Sequence, residues 1–318
     1  MSTYVDRFHV GAATHIGPLS VFPVWAETRC RVNFVLPTAD ALAVQELERP
    51  EVGSLRIANQ GQLPLIVPEG VIFGGGWQSR VVAEDRLVMP GQERTVSVNC
   101  VERGRWNGGQ LHRVDGRAPV SVIASLRGVR PTGRRAAGQQ QEVWEKVSRL
   151  ERHYGTRRTN SLQEIMADEL VADRPGRAGG ARAERAIDER LIEEVKAFAS
   201  RRLPGQSGVL VGIGGHPVML EQFGSSTWFR RQLAAILQAT LLDAVTVPFA
   251  PTPGRNARAF AEEVMFTPME LRKAYTASVA FAGRTSLADV RSFSPMRTEL
   301  GAFHLSVINR QHELALAA

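Results

Sequence analysis

The chain is short of several residue types, and each shortage excludes something. It has two cysteines in 318 residues. Two thiols cannot make a disulfide framework, so the expected compartment is the cytosol, with both reduced. Every apolar run is soon broken by Arg, Glu, Gly or Pro, and none approaches the ~20 residues of a membrane span. The N-terminal stretch MSTYVDRFHVGAATHIG has no basic region followed by an apolar one and does not read as a signal peptide. None of the seven histidines falls in an H-x-H or H-E-x-x-H spacing, so no metal site is expected. There is no Walker motif, no G-x-S-x-G and no internal repeat. Nothing names a cofactor.

Lysine is scarce too. Lys146, Lys196 and Lys273 are the only ones among 39 Lys and Arg, yet the net charge is +7. An arginine-borne positive charge favours anionic partners. The densest run, LRGVRPTGRRAAG from Leu126 to Gly138, reads as a solvated linker or an anion-binding arm. It holds no aromatic residue, and no helix-turn-helix, zinc or RNA-recognition signature occurs, so nucleic acid is not an expected partner.

What remains is a globular balance, 43% apolar and 22% charged. The first part is β-rich. LSVFPV (Leu19 to Val24), RCRVNFVL (Arg29 to Leu36), GSLRIAN (Gly53 to Asn59) and LPLIVP (Leu63 to Pro68) read as strands, and two more are expected at Val81 to Met89 and Arg94 to Val101. An Ala/Leu/Glu stretch between Pro37 and Pro50 reads as a helical turn. After Pro119 the period becomes helical. EVWEKVSRLERHYG puts Val143, Val147, Leu150 and Tyr154 on one face. Ser161 and Glu164 form a capping box, DRPGRAGGARAE (Asp173 to Glu184) is a loop, and AIDERLIEEVKAFASRRL is amphipathic. GVLVGIGGHPVMLEQF reads as a glycine-turn hairpin, because a phosphate loop needs a helix after its glycines. STWFRRQLAAILQATLLDAV is the strongest helix. TPMELRKAY reads as a helix capped by Thr267, and ASVAFAG and AFHLSVI as strands. The expected fold is α+β, with a β-sandwich-like N-terminal part and a mixed helical and β-hairpin C-terminal part. The expected divisions are a β-rich domain at 1–125, the basic loop at 126–140, a helical part at 141–245 and an α/β extension at 246–318.

The chemistry concentrates in GWQSRVVAEDRLVMPGQERTVSVNCVERGRW, Gly76 to Trp106. A two-residue turn at Pro90-Gly91 would set Val81 opposite Cys100, Val82 opposite Asn99, Ala83 opposite Val98 and Glu84 opposite Ser97. Cys100 then shares an apolar face with Val81, Ala83, Val96 and Val98, while Arg80, Glu84, Arg86, Thr95, Ser97 and Asn99 take the other. Cys100 is thus a buried thiol; a slip of one residue would make it a candidate nucleophile. Around the hairpin stand Glu69, Gln78, Arg80, Asn99, Glu102, Arg105 and Trp106, beside Gly74, Gly75 and Gly76. Glu69 and Glu102 are candidate acid/base groups. Arginine clamps phosphate or carboxylate, and tryptophan stacks on a base or sugar. The bland alternative is a salt-bridged strand-end network.

The block LPLIVPEGVIFGGGWQSRVVAEDRLVMPGQERTVSVNCVERGRW resembles the signature of the ARG-and-rhodanese-phosphatase-associated protein family. The resembling positions are Glu69, Gly70, Gln78, Arg80, Asn99, Cys100, Val101, Glu102, Gly104, Arg105 and Trp106. Asn99 stands where the family pattern has Ser, Ser79 where it has Asn, and a triple glycine with Trp77 replaces the segment before Gln78. The resemblance runs on to the helix ending near Val245. It implies a bacterial or archaeal protein of unsettled activity, whose family is named for neighbouring genes that include ADP-ribosylglycohydrolases. The expected function is cytosolic binding of a small anionic ligand, a nucleotide or ADP-ribose-like molecule, in an NAD/ADP-ribose-linked or conflict system. A hydrolase with a glutamate base is one alternative. A protein that meets an acidic partner or a second copy of itself is another.

Overall fold

A computed structural model describes residues 4–38, 40–128, 136–155, 159–170, 187–201 and 203–316. Of the basic loop expected at 126–140, residues 129–135 lie outside the described residues, whereas Leu126 closes one helix and 136–140 open another; the loop expected at Asp173 to Glu184 also lies outside the described residues. The chain opens with β1 (Phe8–Val10), β2 (Thr14–Ile16), β3 (Leu19–Ala26), β4 (Leu42–Gln45), β5 (Ser54–Asn59) and β6 (Leu65–Val67). There follow β7 (Val71–Gly75), β8 (Arg80–Val82), β9 (Arg86–Val88), β10 (Glu93–Cys100) and β11 (Leu111–Arg117). The middle holds α1 (Val120–Leu126), α2 (Ala136–Tyr154), α3 (Leu162–Glu169), α4 (Glu189–Ser200), β12 (Gly208–Ile213), β13 (His216–Phe223) and α5 (Ser226–Ala244). The last part is α6 (Gly254–Met265), β14 (Glu270–Ala274), β15 (Ser278–Arg284), β16 (Ala288–Pro295), β17 (His304–Asn309) and α7 (Glu313–Leu316). The fold is α+β.

Two compact units share the chain. One comprises 1–33, 195–237 and 247–317; the other 34–194 and 238–246. The first unit is built on an antiparallel sheet in the order β1-β3-β12-β13-β17-β16-β15-β14. The β12–β13 hairpin turns at Gly214 and Gly215, both at positive φ, as the paired glycines require. One sheet face buries Phe22, Val24, Leu210, Leu220, Val290 and Val307 against Phe260 and Val264 of α6.

The second unit is built on a closed barrel in the order β10-β5-β4-β11-β7-β8, with β6 and β9 paired beside it. Alternation sends Leu42, Val44, Leu55, Ile57, Phe73, Val82, Val96 and Val98 into one core. Beyond the barrel, Val143, Val147, Leu150 and Tyr154 of α2 are all buried, as their spacing predicts. Ser161 caps α3 by accepting from the Glu164 N–H at 3.4 Å.

Several local expectations are corrected. Arg29 to Leu36 forms no strand beyond an isolated bridge at Val35, and the Ala/Leu/Glu stretch contains strand β4 instead of a helical turn. Val81 to Met89 is two strands, with β9 pairing to β6. TPMELRKAY is no helix: the Thr267 hydroxyl donates to the Glu263 carbonyl at 2.8 Å and closes α6, and β14 then pairs with β15. The largest correction is the register of β8 and β10. Cys100 lies opposite Arg80, Asn99 opposite Val81 and Val98 opposite Val82. Because β9 leaves to pair elsewhere, Pro90-Gly91 does not set this register. A shift of one residue moves every β8 side chain to the other face. Arg80 therefore shares the face of Val98 and Cys100, and points into the barrel.

Candidate functional site

At one barrel end, β4, β7 and β10 finish while β8 and β11 begin. The inward positions there are Arg80, Cys100, His112 and Glu46, which follows β4. All but the His112 backbone are buried, and the side chains of both Glu46 and His112 are completely covered. His112 Nε2 donates to Glu46 Oε1 at 3.0 Å, and the Trp77 N–H donates to the same oxygen at 3.0 Å. Glu46 Oε2 is buried with no hydrogen-bond partner.

Arg80 is wholly buried, and none of its three guanidinium nitrogens has an acceptor among the described residues. Burial pulls its pKa below the ordinary guanidinium value, opposed by nearby Cys100, Glu46 and Glu102. Trp106 lies across it, with the guanidinium carbon 5.7 Å from the ring centroid, a cation–π distance. That tryptophan is 43% exposed, and its ring meets Trp77 edge-on at 5.2 Å. Over Arg80, then, stands a half-exposed tryptophan that packs in turn against Trp77. Gln78 sits beside this end; its Nε2 donates to the Glu102 carbonyl at 3.2 Å, while its Oε1 is buried and unpartnered.

Glu102 and Arg105 are placed close by, but they serve each other. Arg105 Nε donates to Glu102 Oε1 at 2.7 Å and Nη2 to Oε2 at 2.6 Å, a bidentate pair. The Ser79 N–H also donates to Oε2, at 2.9 Å. Burial raises the Glu102 pKa, but Arg105 and the Ser79 amide outweigh it and hold the carboxyl below the usual carboxylate range. Arg105 Nη1 donates to the carbonyls of Gly76 and Asn107, each at 2.9 Å. This guanidinium pins the Glu102–Asn107 loop to the glycine strand.

The remaining candidates lie elsewhere. Glu69 stands at the opposite end of β7, a strand of about 13 Å at 3.3 Å per residue. It is 2% exposed and takes Arg127 Nη2 at 2.5 Å and Nε at 3.1 Å. Asn99 faces out of the barrel toward α2, its Nδ2 donating to Gln140 Oε1 at 3.5 Å. Cys100 is fully buried, burial raises its pKa, and its Sγ–H donates to the Glu102 carbonyl at 3.1 Å. It is a core thiol whose proton is held on a backbone carbonyl.

Spacing alone did not single out Glu46 and His112, which are far apart in sequence. The signal was in the glycines. A Cβ on Gly76, at φ +55°, would come within 2.0 Å of His112 Nε2, and one on Gly74 within 2.5 Å of Asp115 Oδ2. The triple glycine makes room for side chains of the barrel itself. Burial also holds the His112 pKa below its ordinary value, with Glu46 opposing, so the ring is neutral at pH 7. Among the described residues no group of three or more His, Cys, Asp or Glu could hold a metal ion, and no helix is long and apolar enough to cross a membrane.

The model of the ARG and Rhodanese-Phosphatase-superfamily-associated Protein domain matches residues 7–293. That is most of the chain, and the protein belongs to this family. The match passes well beyond Val245, where the visible resemblance stops, and takes in the sheet through β15 and most of β16. No curated protein and no solved structure matches the chain.

Proposed function

We propose, from this membership and the polar barrel end, that the protein binds a small anionic ligand of nucleotide or ADP-ribose-like chemistry, with Arg80 as its anion partner. One observation carries the reading: a completely buried guanidinium with no hydrogen-bond acceptor among the described residues, under a half-exposed tryptophan. Burying an unpaired cation costs several kcal/mol, roughly, and a fold retains such a cost where a ligand repays it. Movement of Trp106 gives an anion access to Arg80, and the indole offers a stacking surface to a base or sugar. Arg105, Glu102 and Ser79 hold the loop that carries Trp106 and act as positioning residues. The two free cysteines suit a cytosolic setting, and the setting proposed with it is a bacterial ADP-ribose-linked or conflict system.

Binding ranks above hydrolysis by Glu102, because both oxygens of that carboxylate are taken and its basicity is lowered. The test is a thermal-shift screen against adenine nucleotides, NAD, ADP-ribose and inorganic phosphate. A ligand that prefers the folded state raises the melting temperature. The expected result is a rise with at least one of these anions that disappears in Arg80→Ala. A rise that persists in Arg80→Ala moves the site elsewhere, and no rise across the panel turns the search to a protein partner.

A further inference from the structure

Arg80 is not the sole unsatisfied group at the barrel end. It offers unmatched donors. Glu46 Oε2 and Gln78 Oε1 are unmatched acceptors, both buried. The buried polar groups of a folded protein are nearly all paired, so Arg80, Glu46 and Gln78, with His112 Nδ1 also unpartnered among the described residues, mark a place where something else completes the pairing. These three do not complete one another. Arg80 feels the Glu46 charge but has no hydrogen bond to it.

The inventory has a chemical meaning. A bare anion with no O–H group, such as sulfate, satisfies the guanidinium and leaves the acceptors idle, and its charge faces that of Glu46. A neutral polyol satisfies the acceptors and leaves the cation idle. A ligand that carries an anionic group and one or more hydroxyls within a few ångströms satisfies both. Glu46 is held for this role. Its Oε1 is fixed by His112 and by the Trp77 amide, so Oε2 is the oxygen left to accept. The seat for His112 is made by Gly76, where no side chain fits. Trp77, which fixes Glu46, also packs against Trp106, so one aromatic pair borders both the anion partner and the hydroxyl acceptor.

We infer that the barrel end recognises a hydroxylated anion, a sugar phosphate or the sugar-phosphate portion of a larger molecule, with Arg80 taking the anionic group and Glu46 Oε2 a hydroxyl. This rests on the Arg80 reading above and adds Glu46 as a specificity-determining residue. Neither Glu46 nor His112 needs to change protonation for it.

The test is isothermal titration of the full chain with ribose 5-phosphate, butyl phosphate and inorganic phosphate. The first two share the phosphate monoester and differ in hydroxyls. Glu46→Gln is the informative variant. Its amide oxygen remains with the two donors at Oε1, so an NH2 stands where a hydroxyl must donate. Folding is checked by circular dichroism and melting temperature. The expected result is that ribose 5-phosphate binds at least about tenfold tighter than butyl phosphate, the scale of one hydrogen bond to a charged acceptor. In Glu46→Gln that preference shrinks to about twofold or less, while butyl phosphate binding holds. Equal binding of the two phosphates overturns this inference and leaves the Arg80 reading standing. A preference that survives in a folded Glu46→Gln overturns the role of Glu46. Binding of neither phosphate, with Arg80→Ala equally inert, overturns both.

Discussion

Among the described residues there are two buried Glu–His pairs, one in each unit, and they differ in a telling way. In the sheet unit, Glu221 Oε2 accepts from His304 at 2.7 Å and Oε1 from the Ser306 hydroxyl at 2.6 Å. His304 also stacks on Phe223 at 4.6 Å. Both carboxylate oxygens are used. In the barrel unit, Glu46 puts both its hydrogen bonds on Oε1 and leaves Oε2 bare, beside an arginine that also lacks acceptors. The same residue types make a closed structural network in one place and an open set in the other. The barrel repeats the contrast between its own ends: Glu69 is matched by Arg127, whereas Arg80 is not matched. Saturated polar groups hold a fold together, and unsaturated ones are where a ligand is proposed to bind.

The contrast can be broken by substitution, and the largest effect belongs at the saturated sites. Glu69→Ala removes the carboxylate that pairs with buried Arg127 in the barrel unit and is expected to cost about 3–5 kcal/mol in urea unfolding. If that variant unfolds at the wild-type denaturant midpoint, the Glu69–Arg127 pair is not structural. Next comes Gly76→Ala, which adds a Cβ at positive φ against the His112 ring; a loss of about 2–4 kcal/mol is expected from strain and displacement of the ring. Glu221→Gln removes one acceptor from a filled network and should cost about 1–3 kcal/mol, at least twice the cost of Glu46→Gln. Equal costs would erase the distinction between the pairs.

The smallest effects are in pH. His112 has a folded pKa below its ordinary 6.5, so the unfolded chain takes up its proton first as pH falls. Its contribution is complete above about pH 6.5 and is lost as pH falls through the folded value, at no more than about 1.4 kcal/mol per pH unit. Glu102, also lowered, adds a further loss below the ordinary carboxylate range. Denaturant midpoints measured from pH 7.5 to 4 should decline from near 6.5, and His112→Asn should flatten the first part. A profile unchanged by that substitution would place the neutral ring outside the buried network.

Much of the architecture is legible in local pattern. The β12–β13 hairpin announces itself by two glycines between apolar runs, and α2 by its buried stripe. What escapes is set by distant partners. The β3–β12 pairing joins Val24 to Gly208, and no local signal carries it. Leu42 to Gln45 has helix-forming composition but is claimed by β5 and β11. The Thr-Pro-x-Glu pattern at Thr267 suggests a helix start, and the same threonine instead ends the preceding one. At the site, the residues around Arg80 and Glu102 were visible as a cluster, but the assignment of faces depended on a turn that β9 does not make. That one residue of register separates a surface arginine from a buried one.

The central claim is that Arg80 is buried for a ligand and at a cost to the fold. Urea unfolding of Arg80→Met without ligand, alongside the thermal-shift screen, tests it most directly. Methionine fills much of the same volume and removes the buried cation. The account predicts that the variant is as stable as the wild type or gains about 1–4 kcal/mol, while it loses every anion-dependent shift. A variant that is strongly destabilised, or that still responds to the anions, would contradict it.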